Sequence, residues 1–349
     1  MSSEESLTVH ETGDNNWQLE NGLLRVTVAG ERGADITSIE YLPTRRQVLW
    51  NESRATSVPH GPSDDGATGF YDGYTGGIQD LFPNAGPACT VMGAPLQFHG
   101  ESHRRAWSIS GSTASGWVEL ECRTTLRRYP FSLVKRVRLL GGEATIVIDL
   151  TITNESRQTL PVHWGFHPAF SDELTAAPAS LFGEFGNITA DDSQFGTRQS
   201  YARGAAVAFT RQTHCTQLPL IDGATGSADL AYASCDRGWF VISSETTGLA
   251  AGLRWPVDIF PRLWIWQECQ DPSGYPWWGM HHIVGVEPHT AAPSQGLEMD
   301  IEEASCLWVG PEESRSATFE MFVAQVDHGE LEQFIHQVSS PLGVTDQEE

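Results

Sequence analysis

Two titratable residues, a glutamate and a histidine, form the best candidate pair for acid/base chemistry. Glu287 ends a largely apolar, strand-like run at positions 280–286, and His167 lies in an aromatic run at 164–170. Each directly precedes a proline, whose ring disfavours the helical region for its neighbour and holds that neighbour extended. Some of the 19 prolines follow Glu or His by chance. We nevertheless expect this carboxylate and imidazole to be held on stiff backbone, facing each other across a groove.

Other polar residues cluster in two further segments. The segment at 98–107 carries His99, Glu101, Arg104 and Arg105, and the segment at 226–230 carries Asp229.

A metal site is the first alternative for the histidines. His163 and His167 have the i, i+4 spacing that can chelate an ion on a helix. Gly165 and Pro168 argue against a helix there, and four residues of strand separate two side chains by about 13 Å. We therefore expect no metal and no organic cofactor. A metal site built from His and Glu residues scattered along the sequence is the weaker alternative.

The composition predicts a β-rich chain. Its 349 residues include 34 Gly, 19 Pro, 12 Trp, 7 Tyr and 15 Phe, which favour short strands joined by turns. We predict one domain over 1–349, with its core at about 20–327, a long loop at 51–77, a helix at 330–338 and a frayed tail from about 340. Predicted strands are 23–28, 33–39, 131–140, 144–153, 239–243, 262–267, 283–286 and 317–326.

Charge indicates the setting rather than the reaction. The formal net charge is −24, and Lys135 is the single lysine. Such self-repulsion is tolerable where salt shortens the Debye length, so we expect the cytoplasm of a salt-accumulating halophile, with unfolding on dialysis to low salt. The same field disfavours nucleic acid and anionic membranes as partners. Scattered cysteines and an acidic start fit a reducing, intracellular compartment.

Several short motifs, in this order, resemble the aldose 1-epimerase (galactose mutarotase) superfamily. They are Gly33-Ala34, the segment 76–84, His99-Gly100-Glu101, the segment 167–170 and Glu287-Pro288. The resemblance runs from about Asn21 to Val326. It implies an all-β fold, a large antiparallel β-sandwich with few short helices and a sugar site on its concave face. The H-G-E reading is typical of a poorly characterised branch.

The resemblance also implies residue roles. The general base of the family falls on Glu287, its general acid on His167, its sugar-contacting histidine on His99 and its sugar-binding aspartate on Asp229. The chain has Gly77-Ile78 where well-studied mutarotases have a Gly-Arg pair. The implied reaction interconverts the α and β anomers of a hexose by ring opening and closure, for which carboxylate neighbours would keep His167 protonated.

Further sugar contacts follow from side-chain chemistry. A Trp ring can lie against the C–H face of a pyranose, so Trp164 and Trp266 are candidate contacts, together with Glu101. Arg104 and Arg105 could instead bind a phosphate, which would make the substrate a hexose 6-phosphate.

Three classes of function remain open at this point. An epimerase requires Glu287, whereas a non-catalytic sugar sensor on the same scaffold does not. A glycosidase or lyase would use two carboxylates, such as Glu287 with Glu101 or Asp229. The expected partner in each case is a carbohydrate, and the oligomeric state is open.

Overall fold

The computed structural model describes residues 7–52, 65–327 and 329–340. Within these ranges the helices are α1 (Ala67–Tyr71), α2 (Asp172–Thr175), α3 (Leu297–Glu302) and α4 (Leu331–Ser339). The strands are β1 (Thr8–Gly13), β2 (Asn16–Glu20), β3 (Leu24–Ala29), β4 (Asp35–Tyr41), β5 (Arg46–Gln47), β6 (Ile78–Leu81), β7 (Cys89–Val91), β8 (Ala94–Leu96), β9 (Ser108–Ala114), β10 (Trp117–Thr125), β11 (Phe131–Leu140), β12 (Thr145–Asn154), β13 (Leu160–Val162), β14 (Gly165–Phe170), β15 (Ala179–Ala190), β16 (Thr210–Arg211), β17 (Thr216–Pro219), β18 (Ser227–Ser244), β19 (Leu249–Arg254), β20 (Arg262–Cys269), β21 (His282–His289), β22 (Leu307–Val309) and β23 (Ser314–Gln325).

Antiparallel pairing links most of the strands into two layers that share β18. The first layer runs β1-β2-β3-β4-β6-β14-β21-β20-β18. The second runs β18-β19-β23-β12-β11-β10-β9. Residues 227–234 of β18 pair with β20, whereas residues 239–243 pair with β19. Because β18 passes from one layer to the other, the chain forms the expected antiparallel β-sandwich.

The two layers enclose one large hydrophobic core. Burial alternates along β11, where Phe131, Leu133 and Val137 lie in the core, because successive side chains of a strand point to opposite faces. Arg136 and Arg138 take the outward positions and pair with glutamates of β10.

The central strands of the first layer are buried on both faces. Ile265 of β20 and Val286 of β21 lie in the core between the layers. Their neighbours Trp264 and Trp266 belong to a second apolar cluster on the opposite face. Loops cover that face, and strand alternation directs His167 and Glu287 towards it.

Seven of the eight predicted strands match an observed strand to within three residues at each end, and the eighth, 239–243, is the end of the longer β18. The predicted strand at 131–140 is β11, and the one at 144–153 is β12 displaced by one residue. The predicted helix is α4, which packs Phe334 and Val338 against the outer face of the second layer. The predicted loop at 51–77 contains α1, while its residues 53–64 and the predicted tail at 341–349 lie outside the described residues. No helix in the described ranges combines the length and apolarity needed to cross a membrane.

Candidate active site

A cavity on the loop-covered face of the first layer contains both Glu287 and His167. Its empty volume, partly open to solvent, is about 480 Å³, within the range of small-molecule sites. Its other described wall residues are Phe70, Tyr71, Tyr74, Phe98, His99, Phe195, Leu230, Trp264, Trp266 and Ser294.

Glu287 and His167 contact each other directly. They lie on β21 and β14, which pair antiparallel, and His167 Nε2 is 3.4 Å from Glu287 Oε1. The sequence predicts that they face each other across a groove wide enough for one sugar ring. They stand side by side on the floor of the cavity instead, because the two strands are immediate neighbours.

Burial favours the neutral form of both groups. Glu287 is 2% exposed and His167 is 5% exposed. Loss of water raises the pKa of the Glu287 carboxyl well above its usual range. Burial also lowers the pKa of His167 to about 4, opposed weakly by the backbone oxygen of the same residue. The expectation that carboxylates keep His167 protonated is therefore opposed by desolvation, and the proton between the two groups belongs to the pair.

His99 is held in a tight turn that fixes its hydrogen bonding. Its φ is +58°, and Gly100 follows at +81°. A Cβ on Gly100 would lie 2.4 Å from the carbonyl oxygen of Phe82, so only glycine fits there. The N–H of Gly86 donates to His99 Nδ1 at 3.0 Å. Burial lowers the pKa of His99 well below its usual range, so the neutral ring presents Nε2–H as a donor.

Three hydrogen bonds connect Glu287 to helix α3. Glu287 Oε2 is 3.2 Å from His289 Nε2, His289 Nδ1 is 3.0 Å from His163 Nε2, and His163 Nδ1 is 2.6 Å from Asp300 Oδ2. We call Asp300, His163 and His289 the histidine row. Each of these residues is at most 2% exposed, so the row is shielded from solvent.

Two glycines make room for these side chains. A Cβ on Gly165 would lie 2.3 Å from Cε1 of His289, and a Cβ on Gly285 would lie 2.5 Å from Oε1 of Glu287. The Trp264 ring stacks on the His289 ring with centroids 3.7 Å apart. The imidazole of His289 is therefore held between the backbone of β14 and an indole.

The aromatic walls carry polar atoms that could receive a sugar. Trp266 Nε1 and the Tyr74 hydroxyl are buried and have no hydrogen-bond partner within the described part of the chain. Tyr74 lies edge-on to His167, with ring centroids 5.7 Å apart. Of the two tryptophans predicted to contact sugar, Trp266 lines the cavity.

Trp164 and Arg104 lie elsewhere. Trp164 is 1% exposed and packs edge-on against Phe82 and Phe260 in the core between the layers, away from the described walls of the cavity. Its contact with sugar stays a prediction. Arg104 lines a separate cavity of about 220 Å³ together with Gln79. None of the described wall residues of the main cavity is Arg or Lys.

Glu101 and Asp229 are structural acceptors in this fold. The oxygens of Glu101 accept the N–H groups of Arg127 and Arg128 at 2.7 and 3.0 Å, which fixes the turn between β10 and β11. Those of Asp229 accept the N–H groups of Ser200 and Tyr201 at 3.0 and 2.8 Å. Neither is among the described wall residues of the cavity, and both sugar contacts stay predictions.

Two residues of the site, His289 and Asp300, were not predicted from the sequence. His289 is two residues after Glu287 on the same strand, and i, i+2 residues share a face, so the spacing carried a usable signal. Nothing in the spacing pointed to Asp300, which lies on a short helix that was not predicted. Among the residues that the structure describes, no cluster of three or more His, Cys, Asp or Glu side chains could hold a metal ion.

Comparison of whole structures identifies the fold. A candidate aldose 1-epimerase from Klebsiella pneumoniae superposes with a TM-score of 0.71 at 12% identity, covering 95% of this chain and 87% of that one. The Slr1438 protein from Synechocystis sp. PCC 6803 gives 0.68 at 16% identity over 92% and 99%. A galactose mutarotase-like protein from Clostridium acetobutylicum gives 0.62 at 11% identity over 93% and 99%.

No protein-family model and no curated protein matches this sequence. At these identities, the structural neighbours show the fold. The chain therefore has the β-sandwich fold of the aldose 1-epimerase (galactose mutarotase) superfamily, as the motif resemblance predicted.

Proposed function

We propose that this protein is an aldose 1-epimerase that interconverts the α and β anomers of a free hexose, with Glu287 as general base and His167 as general acid. One observation carries the proposal: a buried carboxyl and a buried imidazole lie 3.4 Å apart on the floor of a cavity with aromatic walls. Perturbed, paired titratable groups in a cleft are typical of catalytic sites.

The side-by-side arrangement suits this reaction. The C1 hydroxyl and the ring oxygen of a pyranose are bonded to the same carbon, so the two groups that serve them must be neighbours. Glu287 takes the proton of the C1 hydroxyl while His167 gives a proton to the ring oxygen, and the C1–O5 bond breaks to leave the aldehyde. After rotation about C1–C2, closure on the other face returns both protons.

The cavity walls support a neutral sugar as substrate. His99 supplies an Nε2–H donor, and Trp266 supplies an aromatic face with an unpaired N–H. A phosphate would call for Arg or Lys, and the described walls contain neither. We therefore favour a free hexose over a hexose 6-phosphate.

A sugar sensor on the same scaffold is the second candidate. Binding alone would not need a titratable pair on the cavity floor, because burying ionisable groups costs free energy that apolar residues would avoid. The pair therefore favours an enzyme. Because the surface is strongly acidic, with a net charge of −24, we propose the cytoplasm of a salt-accumulating cell as its setting.

Optical rotation of freshly dissolved α-D-glucose and α-D-galactose in concentrated KCl tests the proposal. The wild type should accelerate mutarotation, and Glu287→Gln should lower kcat by roughly 10²- to 10⁴-fold while sugar still binds in calorimetry. Glu268→Gln is the matched control. This variant changes another buried carboxyl of the same layer. Glu268 is 1% exposed and is not among the described cavity walls, and burial raises its pKa to about 8.

The control variant should keep the wild-type rate. Equal rates for wild type and Glu287→Gln would remove Glu287 as the base. Sugar binding without any acceleration in the wild type would favour the sensor.

A further inference from the structure

The histidine row leads away from the reacting pair rather than into the cavity. It begins at Glu287 Oε2, the oxygen that does not face His167, and ends at Asp300 on α3. Its three contacts measure 3.2, 3.0 and 2.6 Å, and every ring nitrogen in it has a partner. Because every polar atom of a ring in this buried row is hydrogen-bonded, the positions of the protons along the row are strongly constrained.

Hydrogen-bond counting fixes how many protons the row holds. Three hydrogen bonds need three protons, one between each pair of heavy atoms. With Asp300 as a carboxylate, His163 must donate from Nδ1. The other two protons then lie between His163 and His289 and between His289 and Glu287, and each can sit on either side.

The two extreme arrangements differ in the charge of Glu287. In one, the carboxyl of Glu287 is protonated and both histidines are neutral. In the other, Glu287 is a carboxylate and His163 is an imidazolium beside Asp300. Both arrangements hold the same three protons and the same net charge of the row and Glu287 together.

Glu287 needs this second arrangement to act as a base. Burial alone favours the protonated carboxyl, because no solvent stabilises its charge. A protonated Glu287 cannot accept the proton of the C1 hydroxyl. The base role therefore requires a partner that removes this proton within the protein interior.

We propose that Asp300, His163 and His289 act as a proton relay that converts the buried Glu287 into the carboxylate base of the reaction. This inference rests on the proposed epimerase function and extends it to three positioning residues, which act through Glu287 and touch no substrate.

The relay step is balanced without any co-reactant. The proton on Glu287 Oε2 moves to His289 Nε2, while the proton on His289 Nδ1 moves to His163 Nε2. Glu287 becomes a carboxylate, and His163 becomes an imidazolium paired with Asp300. The new charge on Glu287 in turn favours uptake of one proton from solvent by His167, 3.4 Å away, and the resulting imidazolium is the acid that protonates the ring oxygen.

Other titratable groups lie around the relay and interact electrostatically with its members. Those that interact electrostatically with Glu287 are phenols on the cavity side, namely Tyr71, Tyr74 and Tyr232. His99 and His167 act on His289, and Cys89 and Cys306 lie in the field of Asp300. Burial raises the pKa of each of these phenols and thiols. We therefore assign no competing charge to them near neutral pH.

Asp300→Asn tests the relay, because it keeps the shape of the side chain but removes the charge that stabilises the imidazolium. The base must be ionised to react, so activity is lost on the acid side where Glu287 gains its proton. Without the relay charge, Glu287 keeps its proton to higher pH. The acid limb of the kcat/KM profile should therefore move up by about one pH unit or more.

Ser305→Ala is the matched control. Its hydroxyl donates to the backbone oxygen of Asp300 at 3.3 Å, so it perturbs the same end of α3 without changing the row. Its acid limb should coincide with that of the wild type. An Asp300→Asn profile that is lower but not displaced would overturn the relay, because a purely structural residue would lower the rate without moving the limb.

Infrared difference spectra of the carboxyl of Glu287, taken against Glu287→Gln, give a readout that needs no turnover. We expect an ionised carboxylate at neutral pH in the wild type and a protonated carboxyl in Asp300→Asn. The same protonation state in both proteins would overturn the relay. His163→Phe keeps a planar ring in the buried space and serves with the same outcomes if Asp300→Asn does not fold.

The two proposals can fail separately. If no aldose mutarotates faster with the wild type but the infrared change occurs as expected, the relay is supported and the assigned reaction is wrong. If mutarotation depends on Glu287 but its ionisation ignores Asp300, the reaction is supported and the relay is wrong.

Discussion

Two buried polar clusters in this molecule use charge differently. The histidine row ends at the cavity and consists of groups that can each pass a proton. The second cluster spans the main core, where Lys135 of β11 reaches across to Asp80 of β6, with Nζ 2.6 Å from Oδ2. Lys135 also donates to the carbonyl oxygen of Ala34 at 2.8 Å and lies 5.4 Å from the centroid of the Trp107 ring.

The difference lies in how completely each cluster is satisfied. Each ring nitrogen of the histidine row has a partner. The second cluster also includes Asp35, on which the charge of Lys135 acts and whose Oδ2 accepts from Gln79 Nε2 at 2.7 Å. In this cluster Asp35 Oδ1, Asp80 Oδ1 and Gln79 Oε1 are buried without a hydrogen-bond partner among the described residues. We infer that the second cluster joins the two layers through the ion pair of Lys135 with Asp80, whereas the histidine row distributes protons. Changes in the second cluster should alter the free energy of unfolding, and changes in the row should alter the pH dependence of catalysis.

Lys135→Met should produce the largest effect. Removing one member of a buried ion pair leaves the charge of Asp80 uncompensated and should cost about 3–5 kcal/mol of unfolding free energy, measured by urea denaturation. Arg136→Met is the matched control on the next residue of β11. Its side chain is 40% exposed and pairs with Glu121, and its loss should cost less than about 1 kcal/mol. Equal losses would refute a special role for the core pair.

Asp35→Asn should change how stability depends on pH. Burial raises the pKa of Asp35 to about 7, against lowering effects of Lys135 and Arg32. The folded state therefore binds the proton more tightly than the unfolded chain, and stability falls as pH rises from about 4 to about 7, by up to roughly 4 kcal/mol. The variant should lose this slope in urea titrations, whereas Asp149→Asn, on the outward face of β12, should retain it.

Gly165→Ala should affect both properties moderately. The added Cβ would lie 2.5 Å from Nδ1 of His289, so the ring must move and its bond to His163 must break. We expect a loss of about 1–3 kcal/mol from overpacking and the same upward displacement of the acid limb as in Asp300→Asn. Gly329→Ala is the control, since the nearest atom to its Cβ is 3.4 Å away. An acid limb at the wild-type pH in Gly165→Ala would show that His289 does not control the ionisation of Glu287.

Several strands and one helix could be predicted from the sequence, because short-range patterns of apolar residues determine them. Alternation in β11 and β12 gave both strands nearly residue by residue, and the 3.6-residue spacing gave α4. The same alternation places Lys135 between Leu133 and Val137 on the core face, although the sequence reading treated it only as a charge. The halophilic habitat and the single domain stay predictions.

The site was legible only in part. Two prolines and the motif resemblance pointed to Glu287 and His167, which the structure brings together. Asp229 was selected from the motif resemblance alone. Because β18 is buried on both faces near it, the sequence could not show that the neighbouring Leu230 is the residue that lines the cavity. Asp300 meets His163 across 137 positions, a contact made by tertiary packing alone.

The spacing of Glu287 and His289 has a consequence for assembly. Both lie on one face of β21, and Val286 between them lies in the core. A slip of one residue against β20 would reverse every side chain of the strand, driving two ionisable groups into hydrocarbon and exposing valines to the loops. The mispaired sheet would be both inactive and unstable. A chain that folds stably with this strand in place therefore also has its candidate catalytic residues in the correct position.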